Sequence, residues 1–344
     1  MVAIDPMFSE SAESMNIKWF DIGGLSRQKF NSAMKHIFLN DDAGIRSVEA
    51  GKIFFGDRAK TIEKNIRTIL TSEPFDWFVC GEPMLYLPNE VFSTQNVALI
   101  MHSVMGIEQI QMYKDRDFSL TRLSATSSHM LPLPTPSPEW SQVGPIVSDR
   151  FHTQELTAEL VAFLDSNKPT VMVTMGSMVG LEPSRFFPAI VEGILSAGCR
   201  VLLQIPSTSE FPIGLFEGKD LMVTKEIDYS NLMPRLSAIV MHGGAGTVNA
   251  AARAGCPIVF VPQLVDQKVW AKLLFDIGVS PGWIEGTVDS KSMSTLIRQA
   301  IESPHISRAA QNLSQRLRSE PDGAHTICKI LESERSIGHD HLTM

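Results

Sequence analysis

Residues 242–271 read HGGAGTVNAAARAGCPIVFVPQLVDQKVWA, placing a histidine, a glycine-rich turn and an Asp-Gln pair close together in sequence. The turn follows an apolar run, Leu236-Ser237-Ala238-Ile239-Val240-Met241, that reads as a buried strand. Gly243, Gly244 and Gly246 with Ala245 let the backbone approach a ligand closely. A helix-competent segment, 247–254, begins directly afterwards. Strand, tight turn and helix N-terminus together make an anion site: free N–H groups and the positive end of the helix dipole point at one spot. His242 adds a polar or cationic donor. Asp266 and Gln267 suit two adjacent sugar hydroxyls, the carboxylate as acceptor and the amide as a donor–acceptor pair. Phosphate beside sugar hydroxyls suggests a nucleotide-sugar. No GxGxxG opens a helix after a strand, which disfavours a dinucleotide oxidoreductase.

Each residue also has a plainer reading. His242 alone could be a strand-end residue, and Asp266 a helix N-cap. Trp270 stands at helical spacing from Asp266 and reads as packing. Gly255 and Pro257 read as a helix stop and a strand start.

The elements that must position these residues are clearest in the second half. Strands are expected over 169–177, 199–205, 221–227, 237–241 and 257–261, with a short sixth at 280–284. Helices are expected over 183–197, 247–254, 267–277, 290–302 and 308–319, with a helical turn at 231–235. Alternation of this kind implies a parallel, doubly wound α/β sheet whose ligands sit at the carboxyl ends of the strands. Gly176-Ser177, the 242–247 turn and Asp266-Gln267 all fall at such ends. In the first half, 19–24 reads as a strand and turn, 59–72 as a helix, and 76–80 and 96–100 as strands joined through 85–92. A proline-rich run at 131–138 reads as an extended linker. The last residues, 336–344, read as a frayed polar tail.

The 344 residues suit two domains; 44% hydrophobic and 20% charged residues are ordinary for a globular protein with a core. Net charge is −8 with no Lys/Arg-rich run, so nucleic acid is an improbable partner class. Cys80, Cys199, Cys256 and Cys328 lie far apart and read as small buried hydrophobes in a reducing compartment. There is no apolar stretch of about 18 residues, and the acidic start lacks the pattern of a secretory signal. The expected location is cytoplasmic.

The 242–271 segment resembles the donor-binding signature of family 1 UDP-glycosyltransferases, nearest to the fungal and bacterial branch with sterol and macrolide glucosyltransferases. The matching residues are His242-Gly243-Gly244-Ala245-Gly246-Thr247, Gly255-Cys256-Pro257, Pro262, Asp266-Gln267 and Trp270-Ala271. The resemblance implies a GT-B-type α/β fold of two Rossmann-like doubly wound domains. Residues 1–144 would be a partial acceptor-binding domain, and 145–335 the donor-binding domain. It also implies metal-independent, inverting transfer of a hexosyl group, glucose by default. The group would pass from a UDP-sugar, a co-substrate and not a cofactor, to a hydroxyl of a small lipophilic acceptor such as a sterol, polyketide or terpenoid. His242, the N–H groups of Gly244 to Thr247 and the Thr247 hydroxyl would hold the diphosphate. Gly176 and Ser177 would line the cleft, and Asp266 and Gln267 would hold the sugar. No stable membrane insertion is expected.

Three departures from the family stand out. Its opening strand, Gly-His loop and helix, with the histidine thought to act as base, has no counterpart here, so the acceptor domain is expected to be incomplete. The start resembles the family segment in which a helix leads into a later strand. His36, His102 and His129 are the replacement candidates for the base; His102 is best placed, after a strand. The aromatic and proline that stack on the base in the family fall here on Glu226 and Asp228, with Tyr229 as a substitute platform. Position 250, a ribose-binding Glu in plant members, is Ala. The rival readings are a catalytically degenerate nucleotide-sugar-binding or auxiliary protein, a donor half serving a separate acceptor half, and a nucleotide-sugar epimerase.

Overall fold

The structure is a computed structural model that describes residues 2–4, 9–21, 23, 56, 58–72, 75–81, 91, 96–101, 120–132, 140–147, 155–176, 183–205, 213–216, 218, 220–225 and 227–340. The second half is built on one sheet. Its strands are β7 (Thr170–Thr174), β8 (Arg200–Gln204), β9 (Leu221–Thr224), β10 (Ala238–Met241) and β11 (Ile258–Phe260), in the order β11-β10-β7-β8-β9, all parallel. Strands β7, β10 and β11 bury every side chain and β8 all but its two ends, as a parallel sheet covered on both faces requires. Helices α4 (Pro183–Ser196) and α8 (Ser290–Glu302) cover one face, with Phe187, Ile190, Ile194, Met293 and Ile297 against Val171, Val173 and Val240. Helices α3 (Ala158–Leu164), α6 (Ala245–Ala254), α7 (Val265–Asp276) and α9 (Pro304–Ser319) cover the other, with Val248, Trp270, Leu274 and Leu313 against Met172, Ile239 and Phe260. Chain order runs outward from β7 through β8 and β9 on one side, and through β10 to β11 on the other. The order therefore switches between β7 and β10, where such sheets open a crevice at the strands' carboxyl ends.

The first half carries β3 (Phe78–Gly81), β4 (Val97–Met101), β5 (Leu120–Ser124) and β6 (Ser141–Gln142) in one parallel sheet. It also has a separate parallel pair, β1 (Val2–Ile4) and β2 (Trp19–Asp21), joined through α1 (Ser9–Ser14). The helix-into-strand start matches the sequence reading; β1 ahead of it is an additional element. Helix α2 (Ala59–Ser72) has the expected bounds and buries Ile62, Ile66 and Ile69.

Several expectations are corrected. No sixth strand forms at 280–284: only a single bridge, Phe260 to Trp283, is made. The Ser280 hydroxyl bonds both the N–H and the carbonyl of Gly282, whose φ is +142°, and Pro281 has no N–H to give. The helix after the glycine turn starts at Ala245, not at residue 247. Helix α3, capped by the Thr157 hydroxyl, was not foreseen. Cys328 is exposed, unlike the other three cysteines. The proline-rich linker lies largely outside the described residues, as does most of the 85–92 connection.

The 336–344 tail is helical as far as Asp340, within α10 (Gly323–Asp340), which turns back onto the first sheet. Ile327, Ile330 and Leu331 pack with Ala98, Leu123, Ala125 and Val143, and Trp77 Nε1 donates to the Leu331 carbonyl at 3.2 Å. The Gly323 N–H donates to Pro145 O, and a Cβ on Gly323 would lie 2.2 Å from Gly144 O. Ser127 Oγ donates to Glu320 Oε1 at 2.8 Å, which ties the loop after β5 to the end of α9. No described helix is long and apolar enough to cross a membrane.

Candidate nucleotide-sugar site

Strands β7 and β10 are neighbours in register, Thr174 beside Met241. Two residues past Thr174 stands Gly176; one past Met241 stands His242. The topology alone therefore brings together two candidates that are distant in sequence. Gly176 has φ +54°, and a Cβ there would sit 2.8 Å from His242 Cε1. On the other side, a Cβ on Gly244 would sit 2.5 Å from His242 Nε2. The imidazole fills the space of two missing side chains. It is 5% exposed, and its Nδ1 is buried with no hydrogen-bond partner among the described residues. Burial lowers the His242 pKa to about 4. The side chain is thus neutral at pH 7, a directional hydrogen-bonding group and not the cationic donor that the sequence also allowed.

Helix α6 starts against this imidazole. Its N-cap is Gly244, which supplies no side-chain acceptor, and the first intrahelical bond runs from Val248 N to Gly244 O. The N–H groups of Ala245, Gly246 and Thr247 therefore have no acceptor within the helix. Gly246 is exposed, and among the described residues nothing lies within 4 Å of a Cβ built on it, which leaves space in front of that terminus. Gly255 ends the helix in the left-handed region (φ 72°).

Gly243, at φ +102°, brings the third segment in: a Cβ there would lie 3.1 Å from Gln267 O and 3.2 Å from Gln267 Cβ. Asp266 and Gln267 occupy the first turn of α7, whose N-cap is Leu264. Asp266 is thus inside the helix and is not the cap. Burial raises its pKa, partly offset by the backbone N–H groups of Asp266 and Gln267. Gln267 is 3% exposed, and its Oε1 accepts from Gln263 N at 2.7 Å and Leu264 N at 3.1 Å. The amide oxygen is consumed in capping the helix, so Gln267 offers a ligand only its Nε2 donors, not a donor–acceptor pair. Trp270 is fully buried and packs, as expected.

Ser177, His36, His102 and Glu226 lie outside the described residues. His129 Nε2 lies 3.9 Å from Glu320 Oε1, at the junction of α9 and α10. Asp228 caps the short helix α5 (Tyr229–Leu232), accepting from Ser230 N and Oγ. Tyr229 is partly buried and donates to Gln204 Oε1 at 2.6 Å. Sequence reasoning missed Thr174 and Gln204, polar ends of the apolar strands β7 and β8 and register partners in the sheet. Their signal is the single polar residue that closes each run.

Residues 219–333 match the family described as "Erythromycin biosynthesis protein CIII-like, C-terminal domain". The chain is 31% identical over 230 residues to a terpene cyclase-glycosyl transferase fusion protein from Humicola fuscoatra, a match that covers 60% of this chain and 17% of that protein. It is 28% identical over 233 residues to a sterol 3-beta-glucosyltransferase from Leptosphaeria maculans, covering 62% of this chain and 16% of the relative. The chain thus spans under a fifth of the length of either relative. The fold resembles the solved structure of the glycotransferase of kitacinnamycin, with a TM-score of 0.71 and 15% identity over 97% of this chain and 90% of that one.

Proposed function

We infer that this chain, family 1 UDP-glycosyltransferase-like in sequence and GT-B in fold, binds a UDP-sugar and transfers its hexosyl group, glucose by default, to a hydroxyl of a small lipophilic acceptor. One observation carries the reading: the uncapped N-terminus of α6 opens at the β7–β10 switch point, beside an imidazole seated between Gly176 and Gly244.

The chemistry has three requirements. Charge building on the leaving diphosphate is met by the N–H groups of Ala245, Gly246 and Thr247, the Thr247 hydroxyl and His242, donors fixed before reaction begins. The sugar is held by Asp266, an acceptor for one hydroxyl, and by Gln267 Nε2, a donor to a neighbouring one. The acceptor, and the group that takes its proton, come from the first half of the chain. Transfer proceeds with inversion and without a metal ion, in the reducing cytoplasm that free cysteines suit. The sterol and terpenoid chemistry in the relatives' names favours a lipophilic acceptor.

Calorimetry with UDP, UDP-glucose and dTDP tests the donor, and mass spectrometry of a sterol and terpenoid panel incubated with UDP-glucose tests transfer. Binding of UDP that is lost in His242→Ala, and of UDP-glucose weakened in Asp266→Ala, is the expected result. No nucleotide binding, or binding indifferent to both changes, would overturn the site. Nucleotide binding with no hexose on any acceptor would leave the auxiliary reading in place.

A further inference from the structure

Beneath Gly176 lies a run of hydrogen bonds through three residues outside the donor-binding set, Thr174, Gln204 and Tyr229. Tyr229 OH donates to Gln204 Oε1 at 2.6 Å. Thr174 Oγ1 donates to the same oxygen at 2.8 Å. The Gly176 N–H in turn donates to Thr174 Oγ1 at 3.2 Å. A contact of 3.4 Å between the Thr174 and Tyr229 hydroxyls closes the triangle.

Each member constrains the next. A hydroxyl has one proton; Thr174 gives its proton to Gln204, so its lone pairs are left for the Gly176 N–H. The Gln204 oxygen, filled by two donors, has a fixed amide orientation. Thr174 is fully buried, where an unmade hydrogen bond is costly and a made one is strong. Gly176, so held at φ +54°, is the residue whose missing side chain admits the His242 ring.

We propose that Tyr229 and Gln204 are positioning residues that act through Thr174 to hold the Gly176 turn against His242, and so set the imidazole presented to the donor diphosphate. The proposal rests on the nucleotide-sugar reading for its ligand but not for its geometry. It assigns Tyr229 a role under the site, through its hydroxyl, and not as a stacking platform.

The test uses Thr174→Val, Thr174→Ser, Tyr229→Phe and the double variant Thr174→Val/Tyr229→Phe in the full chain. The probes are UDP binding by calorimetry and the His242 imidazole resonances by NMR without ligand. Thr174→Val is expected to weaken UDP by about tenfold and Tyr229→Phe by about threefold, the scale of one lost hydrogen bond. Thr174→Ser is expected to bind as wild type. Both Thr174→Val and Tyr229→Phe should shift the His242 resonances. Because Tyr229 acts through Thr174, the double variant should bind no more weakly than Thr174→Val alone. Unchanged His242 resonances in both single variants would overturn the proposal. So would a Tyr229→Phe penalty of equal size in both backgrounds, which would mean direct ligand contact. If wild type binds no UDP, the nucleotide reading fails, while the ligand-free resonances still decide the positioning. If Thr174→Val does not fold, the His242 resonances of Tyr229→Phe decide it: a shift supports the proposal and no shift overturns it.

Discussion

Gly176 lies directly against the imidazole of His242, so close that a Cβ would meet Cε1 at 2.8 Å. The contact makes the absence of a side chain at residue 176 a condition for the position of one at residue 242. Gly176→Ala meets two penalties, a left-handed backbone worth about 1–2 kcal/mol for an L-residue and a displaced imidazole. We expect lower thermal stability together with UDP affinity reduced by at least about tenfold. Calorimetry of a folded Gly176→Ala protein that binds UDP as wild type does would remove the contact from the site.

Acid should act through His242. Its folded pKa is about 4, against a usual value of 6.5. Between those values the unfolded chain binds the proton more readily, so stability falls as pH drops through that window and gains nothing from this residue above 6.5. The full effect is on the order of 3 kcal/mol, most of it expressed by pH 4.5. Urea unfolding of wild type and His242→Gln at pH 7 and 4.5 reads it directly. The variant should lose less stability on acidification, and equal losses would contradict a buried neutral imidazole.

The capping bonds of Gln267 and its proposed contact with the sugar are separable. Gln267→Leu strands the N–H groups of Gln263 and Leu264, which should cost about 1–3 kcal/mol. Gln267→Glu keeps an acceptor for both but has no donors for the sugar. Its melting temperature should stay near wild type and UDP affinity should hold, while UDP-glucose affinity falls about tenfold. Equal affinities for UDP-glucose in Gln267→Glu and wild type would show that the amide never reaches the sugar.

Gly246→Asp should trade function for stability. The carboxylate stands in open space in the first turn of an uncapped helix, where a negative charge stabilises by roughly 0.3–1 kcal/mol. The same carboxylate would occupy the place proposed for the diphosphate. Melting temperature should rise while UDP binding drops below detection, and retained binding would place the phosphates elsewhere.

The sequence makes the second sheet legible because a parallel strand buried on both faces is a short unbroken apolar run, as in Val171–Val173 or Ile258–Phe260. The site loops were legible for a related reason: small residues at strand ends have few uses besides close approach. The start of α7 was not. Its N-cap, Leu264, has no polar side chain, so Asp266 looks like the cap and Gln267 like a free ligand-binding amide. Only the backbone shows the Gln267 oxygen turned back onto Gln263 and Leu264. Thr174 and Gln204 escaped notice because their partnership depends on strand order, which local pattern does not encode. Helix α10 carries Ile327, Ile330 and Leu331 at helical spacing, but nothing local says which sheet they cover.

That return of α10 has a consequence for exchanging parts between relatives. A chimera cut once, at the connection between the halves, would pair one parent's first sheet with the other parent's final helix. Ile327, Ile330 and Leu331 would then meet a foreign Ala98, Leu123 and Val143. A graft that preserves the native seam needs two crossovers, one near residue 144 and one at Pro321-Asp322, so that the last helix travels with the first sheet. If the first half selects the acceptor, as proposed, inheritance of that preference is a property of two separated stretches of the gene.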